Sequence, residues 1–291
     1  MKLTLQTLSA IILLCLLGTS CQKDTSEPSP YLTSQTYNLK DVAYGTDPQQ
    51  KMDMYLPANR SSSKTKVFVM IHGGGWSAGD KADYSSTMDA LKDYYPNHAI
   101  ININYRLGTQ DYPGYPKQIQ DIQTALNEIS KGKYNLSQQY LLFGGSAGAH
   151  LSMLYAYAFD HDHHVKGVIN TVGPADLTDP SLTNNLILMG VVGGFLGKAI
   201  YDYQGNKALF EETSPARRVT PNAPPTLSFY GDKDPLIPVT QMPKLRTALE
   251  NNHVWHYDTL YPGGGHGLWA SDAQTQDYIT RIIAFIDQFF K

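Results

Sequence analysis

Cysteine is almost absent from this chain: its 291 residues contain two, Cys15 and Cys21, both near the N-terminus. From Gln22 onward there is no thiol, which excludes a disulfide framework and a zinc site built on thiolates. Stability has to come from a buried core. Charge is also sparse, at 17% of residues with a net of −3, and the 23 Lys and Arg are scattered without a basic run. That pattern excludes the footprint of a nucleic-acid binder, which needs clustered cations against a phosphate backbone. No apolar run reaches the roughly 20 residues that cross a bilayer as a helix.

The N-terminus carries the longest apolar segment. Lys2 gives a positive start, Ile11 to Leu17 an apolar core, and Gly18, Thr19 and Ser20 are small residues directly before Cys21. Residues 1–21 therefore read as a secretory signal, removed before the protein acts. Small residues placed against a cysteine resemble a bacterial lipoprotein cleavage site, although Leu17 stands one position further from Cys21 than the usual aliphatic residue. The resemblance implies that Cys21 is acylated and that the protein is exported and membrane-anchored, in the periplasm or on the cell surface. Gln22 to Ser34 is polar and contains proline, as expected of a tether. Residues 35–291 are then the folded domain.

Within that domain short β-rich runs alternate with helical patterns, which predicts an α/β fold with a mainly parallel sheet and helices on both faces. The strand candidates are Val67 to Ile71, Ala99 to Tyr105, Tyr140 to Phe143, Val165 to Asn170, Thr226 to Tyr230 and Val254 to Leu260. An antiparallel pair, Tyr37 to Tyr44 with Lys51 to Tyr55, precedes them. Ile119, Ile122, Leu126 and Ile129 form one apolar helical stripe; Ile279, Ile282, Ile283, Ile286 and Phe290 form another. Thr183 to Glu212, apolar and glycine-rich around MGVVGGFLG, breaks the alternation and is expected to be a small insertion capping the site.

The chemistry concentrates in four places. Gly144 to Gly148 spell GGSAG between the strand YLLF and a helical run, the context in which GxSxG presents its serine on a sharp strand-to-helix turn. Ser146 is the candidate nucleophile. His72, Gly73, Gly74, Gly75 and Trp76 follow the strand VFVMI, and their glycines allow backbone amides to approach a substrate. Amides of Gly74, Gly75 and Ala147, aimed at an oxyanion, are worth about 3 kcal/mol each in acyl transfer. His72 is expected to shape this loop rather than act as base. His266, in YPGGGHGLW after the last strand, is the candidate base. Its partner is Asp234 or Asp232, both following TLSFY, with Asp234 preferred because it lies further into the loop. His161, His163 and His164 lie with Asp160 and Asp162 in DHDHH, which reads as a solvated loop rather than a metal site. Trp76 and Trp269 line a pocket or belong to the core.

Taken together, HGGGW with SAGDK, NYRL at Asn104 to Leu107, GGSAGAHL, PPTLSFYGDKDPLIP and GGGHG resemble the esterase and lipase branch of the α/β-hydrolases. The likeness is greatest to bacterial carboxylesterases and to feruloyl- or acetyl-ester hydrolases, and it covers nearly all of Tyr37 to Lys291. One departure is Asn104, where that branch often has an acidic residue. The resemblance implies a Ser146–His266–Asp234 triad, an oxyanion hole from Gly74, Gly75 and Ala147, and no cofactor or metal. It implies as substrate an ester of a small molecule or of a plant polysaccharide. Two other readings remain: an amidase or peptidase of the same fold, and a surface glycan-binding protein that has lost catalysis.

Overall fold

The computed structural model describes residues 29–268 and 270–291. Residues 1–28, with the expected signal segment, Cys21 and the first part of the expected tether, and Trp269 lie outside the described residues. Eight strands form one sheet: β1 (Tyr37–Ala43), β2 (Lys51–Leu56), β3 (Val67–Ile71), β4 (Ala99–Ile103), β5 (Tyr140–Gly145), β6 (Val165–Thr171), β7 (Thr226–Gly231) and β8 (His256–Tyr261). Their spatial order is β1-β2-β4-β3-β5-β6-β7-β8. The pairs β1/β2 and β2/β4 are antiparallel, and the rest of the sheet is parallel. The helices are α1 (Ser85–Tyr94), α2 (Lys117–Ile129), α3 (Ala147–Ala158), α4 (Pro180–Thr183), α5 (Leu186–Leu196), α6 (Lys207–Glu212), α7 (Gln241–Asn251) and α8 (Asp272–Phe289).

Every residue of β3, β4 and β7 is buried. This is why those strands read as unbroken apolar runs: helices cover both faces of the parallel region, so neither side needs polar residues. Alternation survives inside the core. Val67, Val69 and Ile71 of β3 join one cluster, with Ile119, Ile122 and Leu126 of α2 and Leu151 of α3. Phe68 and Met70 point the other way, into a cluster with Met88 and Leu91 of α1 and Ile282, Phe285 and Ile286 of α8. The two-residue period of the strand thus feeds two separate cores.

Three differences from the sequence reading have local causes. The fourth strand ends at Ile103, because Asn104 and Tyr105 turn away to make side-chain contacts with neighbouring loops. On α8 the buried face runs through Tyr278, Ile282, Phe285 and Ile286, while Ile279 is exposed, so the aromatic residues rotate the helix relative to an isoleucine-only stripe. Ser29 to Ser34, expected as tether, are laid on the domain. The Tyr31 ring stacks on Tyr134 at 5.6 Å, and buried Arg60 donates to the carbonyls of Tyr31 and Gln35.

The loop after β4 is locked by a buried carboxylate. Asp121 of α2 is fully buried and accepts from Gln50 Nε2 at 2.7 Å, from the Arg106 amide at 2.8 Å and from Arg106 Nη2 at 2.6 Å. Removing the cation strands a buried charge, which costs about 3 to 5 kcal/mol. Arg106→Met is therefore expected to lower the free energy of unfolding by about 3 kcal/mol, measured as a shift of the urea midpoint at constant m-value.

Candidate active site

The site assembles at the C-terminal ends of the parallel strands. β5 runs into α3 through Ser146, which adopts φ 53° and ψ −121°. A non-glycine residue at positive φ is strained, and the strain has to be held by its surroundings. Two backbone hydrogen bonds hold it here: the Ser146 amide donates to the Thr171 carbonyl at 2.8 Å, and the His150 amide donates to the Ser146 carbonyl at 3.0 Å. The turn also requires α3 to start close against β3. A Cβ on Gly148 would lie 2.0 Å from the Ile71 carbonyl oxygen, and one on Gly144 would lie 2.4 Å from Gly148. Both positions exclude any side chain.

The loop after β3 lies directly against this turn, since a Cβ on Gly73 would come within 3.0 Å of the Gly145 carbonyl oxygen. The Gly74 carbonyl accepts from the amides of Ser77 and Ala78, which folds the loop into a tight turn. Among the described residues, the amides of Gly74, Gly75 and Ala147 donate to no protein acceptor. Gly74 and Gly75 line the same cavity as Ser146 and His266. His72 makes no hydrogen bond to Ser146 among the described residues. Its ring is buried, stacks on Tyr105 at 4.3 Å, and its Nδ1–H donates to the Gly73 carbonyl at 2.8 Å. Burial pushes the imidazole below its ordinary value, toward the neutral form.

The loops after β7 and β8 bring the carboxylate and the imidazole together. His266 Nε2 is 3.1 Å from Ser146 Oγ, and His266 Nδ1 donates to Asp234 Oδ2 at 2.9 Å. The Asp234 side chain is 1% exposed, and its other oxygen accepts from the amides of Leu236 and Ile237 at 2.8 and 3.0 Å. With Nδ1 carrying the hydrogen, Nε2 presents a lone pair to the serine hydroxyl. Asp232 does not reach the imidazole. Its Oδ1 accepts from the Gly263 amide at 2.7 Å, and the Lys233 amide donates to the Gly264 carbonyl at 2.8 Å, so this carboxylate fastens the two loops to each other.

Three supporting residues had no role in the sequence reading. Tyr105 Oη donates to the His72 carbonyl at 2.9 Å. Gln118, fully buried on α2, donates to the Trp76 and Arg106 carbonyls at 2.7 and 3.0 Å. His150 of α3 accepts from Trp76 Nε1 at 3.3 Å and donates through Nε2 to the Thr213 carbonyl at 2.8 Å. Trp76 itself is buried, stacks on Phe195 of α5 and also lines the cavity, so both expectations for it hold. The signal for these residues was available in part: Tyr105 lies within NYRL, and a histidine on the mostly apolar α3 needs a partner for each ring nitrogen.

The cavity measures about 690 Å³. The segment Thr183 to Glu212 supplies α5, whose Ile187, Gly190 and Val191 line the cavity together with Leu236 and Ile237 of the loop carrying Asp234. The remaining histidines serve elsewhere. Asp160 accepts from the amides of His164 and Val165, and no group of three or more potential metal ligands gathers among the described residues.

This sheet order, with a serine on the strained turn after β5 and a carboxylate and a histidine on the last two strand ends, defines an α/β-hydrolase. The chain belongs to the BD-FAE family, whose model matches residues 52–249. It is 27% identical over 267 residues to the esterase LipC of Mycobacterium tuberculosis, covering 85% of this chain and 64% of LipC. It is also 27% identical over 154 residues to the kynurenine formamidase of Danio rerio, covering 50% of this chain and 48% of that enzyme. This chain thus spans less than two thirds of either relative. Among solved structures, a truncated carbohydrate esterase from gut microbiota superposes with a TM-score of 0.68 at 22% identity, covering 88% of this chain and 98% of that one.

His150 makes the fold sensitive to acid. Complete burial lowers it to about 4, whereas the unfolded chain takes up the proton near the ordinary histidine value of about 6.5. Its contribution to stability is therefore full above about pH 6.5 and is lost as pH falls toward 4, a total of about 3 kcal/mol. In His150→Gln the fall of the melting temperature between those pH values should be shallower than in the parent, read by calorimetry across a pH series.

Proposed function

We propose that the protein is a serine carboxylic-ester hydrolase that works through an acyl-enzyme. The observation that carries this reading is the placement of His266, within hydrogen-bond distance of Ser146 Oγ through one nitrogen and of buried Asp234 through the other. Ser146 Oγ attacks the ester carbonyl carbon while His266 Nε2 takes its proton. The amides of Gly74, Gly75 and Ala147 receive the oxyanion, and their lack of other acceptors supports this role. Collapse expels the alcohol, which leaves with the proton from His266, and water repeats the sequence on the acyl-serine. Asp234 keeps the imidazole in the competent tautomer and balances the charge that forms on it. All of these steps use groups of the chain itself.

For the alcohol component we favour a carbohydrate, as on acetylated or feruloylated plant polysaccharides. The likeness to a carbohydrate esterase supports this choice. A second reading, hydrolysis of aryl formamides, draws support from the formamidase relative. Acetylated xylan, feruloyl esters and an N-formyl aniline assayed side by side separate the two. Ser146→Ala should lower turnover by at least about 10⁴-fold, Asp234→Asn by about 10⁴-fold and Asp232→Asn by about tenfold or less. Stopped-flow release from a chromogenic acetate should show a burst. Equal losses in the two aspartate variants would reassign the acid, and absence of any burst or turnover would leave a binding protein.

Export and anchoring are proposed on the N-terminal sequence alone. Residues 1–21 direct secretion and Cys21 receives the lipid, with the short stretch up to Ser29 as spacer. No helix among the described residues is long and apolar enough to cross a membrane. In cells fed labelled palmitate, the parent should incorporate label and Cys21→Ala should not. Label retained by the variant would reject Cys21 as the anchor.

A further inference from the structure

The helix α5 contains glycines at 190, 193 and 194, and glycine is the poorest helix former apart from proline. Two of these have steric reasons. A Cβ on Gly194 would lie 2.6 Å from the Gly75 carbonyl oxygen, so this end of α5 can rest on the oxyanion loop only without a side chain; a Cβ on Gly193 would meet Ile200 Cδ1 at 2.9 Å. Gly190 is different. A Cβ there would meet nothing within 4 Å. The helix carries the unfavourable residue without any neighbour that demands it.

Helical spacing says where that empty space is. Ile187, Gly190, Val191 and Gly194 stand at i, i+3, i+4 and i+7, on a single face. Ile187, Gly190 and Val191 line the cavity above Ser146, and Val191 Cγ1 lies 3.0 Å from where a Cβ on Gly75 would be. This face therefore looks at the oxyanion side of the site. Leu236 and Ile237 also line the cavity, in the loop whose amides hold Asp234 beside His266. The leaving alcohol must depart toward His266 Nε2 to receive its proton, so the group that stays bonded to the carbonyl carbon extends away from His266, along α5. The wall it meets there is aliphatic, and the polar side chains among the described residues lining the cavity are Trp76, Ser77, Ser146 and His266. An acetyl methyl leaves most of a cavity of about 690 Å³ unfilled.

We infer that the α5 face is the acyl-binding wall, that the preferred substrates carry apolar acyl groups larger than acetyl, and that the missing side chain at Gly190 sets how long that group can be. This rests on the ester-hydrolase reading and narrows it to a substrate class. The full chain is assayed with p-nitrophenyl acetate, butyrate and octanoate, and with ethyl and benzyl butyrate to vary the alcohol. The parent should favour butyrate or octanoate over acetate in kcat/KM. Gly190→Leu should lower the octanoate-to-acetate ratio by at least about tenfold, chiefly through KM, with Gly190→Ala between the two. Both substitutions favour the helix, so the melting temperature should not fall. The ethyl-to-benzyl ratio should keep its parental value. A uniform loss on all acyl lengths, an unchanged acyl ratio, a shift confined to the alcohol pair, or a parent that prefers acetate overturns the inference. If the parent hydrolyses no ester in the series, the ester-hydrolase reading itself fails; if it does and Gly190 proves indifferent, only the present inference falls.

Discussion

Gly148 meets the end of β3 so closely that a single carbon added to it would fall 2.0 Å from the Ile71 carbonyl oxygen. That approach presses the start of α3 onto the sheet and forces the preceding turn to be sharp, which in turn places Ser146 at positive φ. Strain of this kind persists only where the surroundings over-determine it. Here the end of β6 supplies the Thr171 carbonyl, which accepts from the Ser146 amide, and the helix supplies its own first turn. The serine hydroxyl consequently stands clear of the sheet, where groups from other strand ends can meet it.

Precision in the rest of the site comes from polar contacts one step removed from the reacting atoms. The loop with Gly74 and Gly75 is braced from below by Tyr105 and from the side by Gln118, and Gln118 sits on the helix whose Asp121 locks Arg106. His150 joins α3, Trp76 and the Thr213 carbonyl, so the loop with Gly74 and Gly75 and the segment beyond α6 are tied through one neutral ring. Asp232 performs the matching task on the other side, fastening the loop after β7 to the loop after β8. The braces made by Tyr105, Gln118, Asp121 and His150 are buried or part-buried, where a hydrogen bond is strong and an unpaired group is costly, whereas that of Asp232 is exposed. Loops held this way behave as rigid parts, which keeps the Ser146–His266–Asp234 hydrogen bonds in one geometry.

The insertion between β6 and β7 completes the site without contributing to the Ser146–His266–Asp234 chain of hydrogen bonds. Phe195 of α5 stacks on Trp76, while Gly194 lets the helix backbone settle on the loop with Gly74 and Gly75. The same helix thus belongs to the core on one side and to the cavity on the other. This dual placement explains a composition that fits neither an amphipathic surface helix nor a strand: it is apolar nearly all round, and its glycines lie against backbone at Gly194, the Ile200 side chain at Gly193 and the cavity at Gly190.

All eight strands, the strand-to-helix serine turn and the glycine-rich loop were legible in the sequence because each depends on local rules: apolar runs where both faces are covered, and glycine where the backbone must bend or approach. The resemblance to α/β-hydrolases rested on the same short-range patterns. What lay beyond them was decided by distance in space. Asp232 and Asp234 are two residues apart, and only the fastening of their loop to Gly263 and Gly264 turns one toward the backbone and the other toward His266. Tyr105, Gln118 and His150 acquire roles from partners far along the chain. Ser29 to Ser34 look like linker by composition, yet Tyr31 finds a ring to stack on and Arg60 finds carbonyls to hold. Local sequence sets which conformations each segment prefers; which side chains face one another depends on how those segments pack, and that is written only in the folded chain.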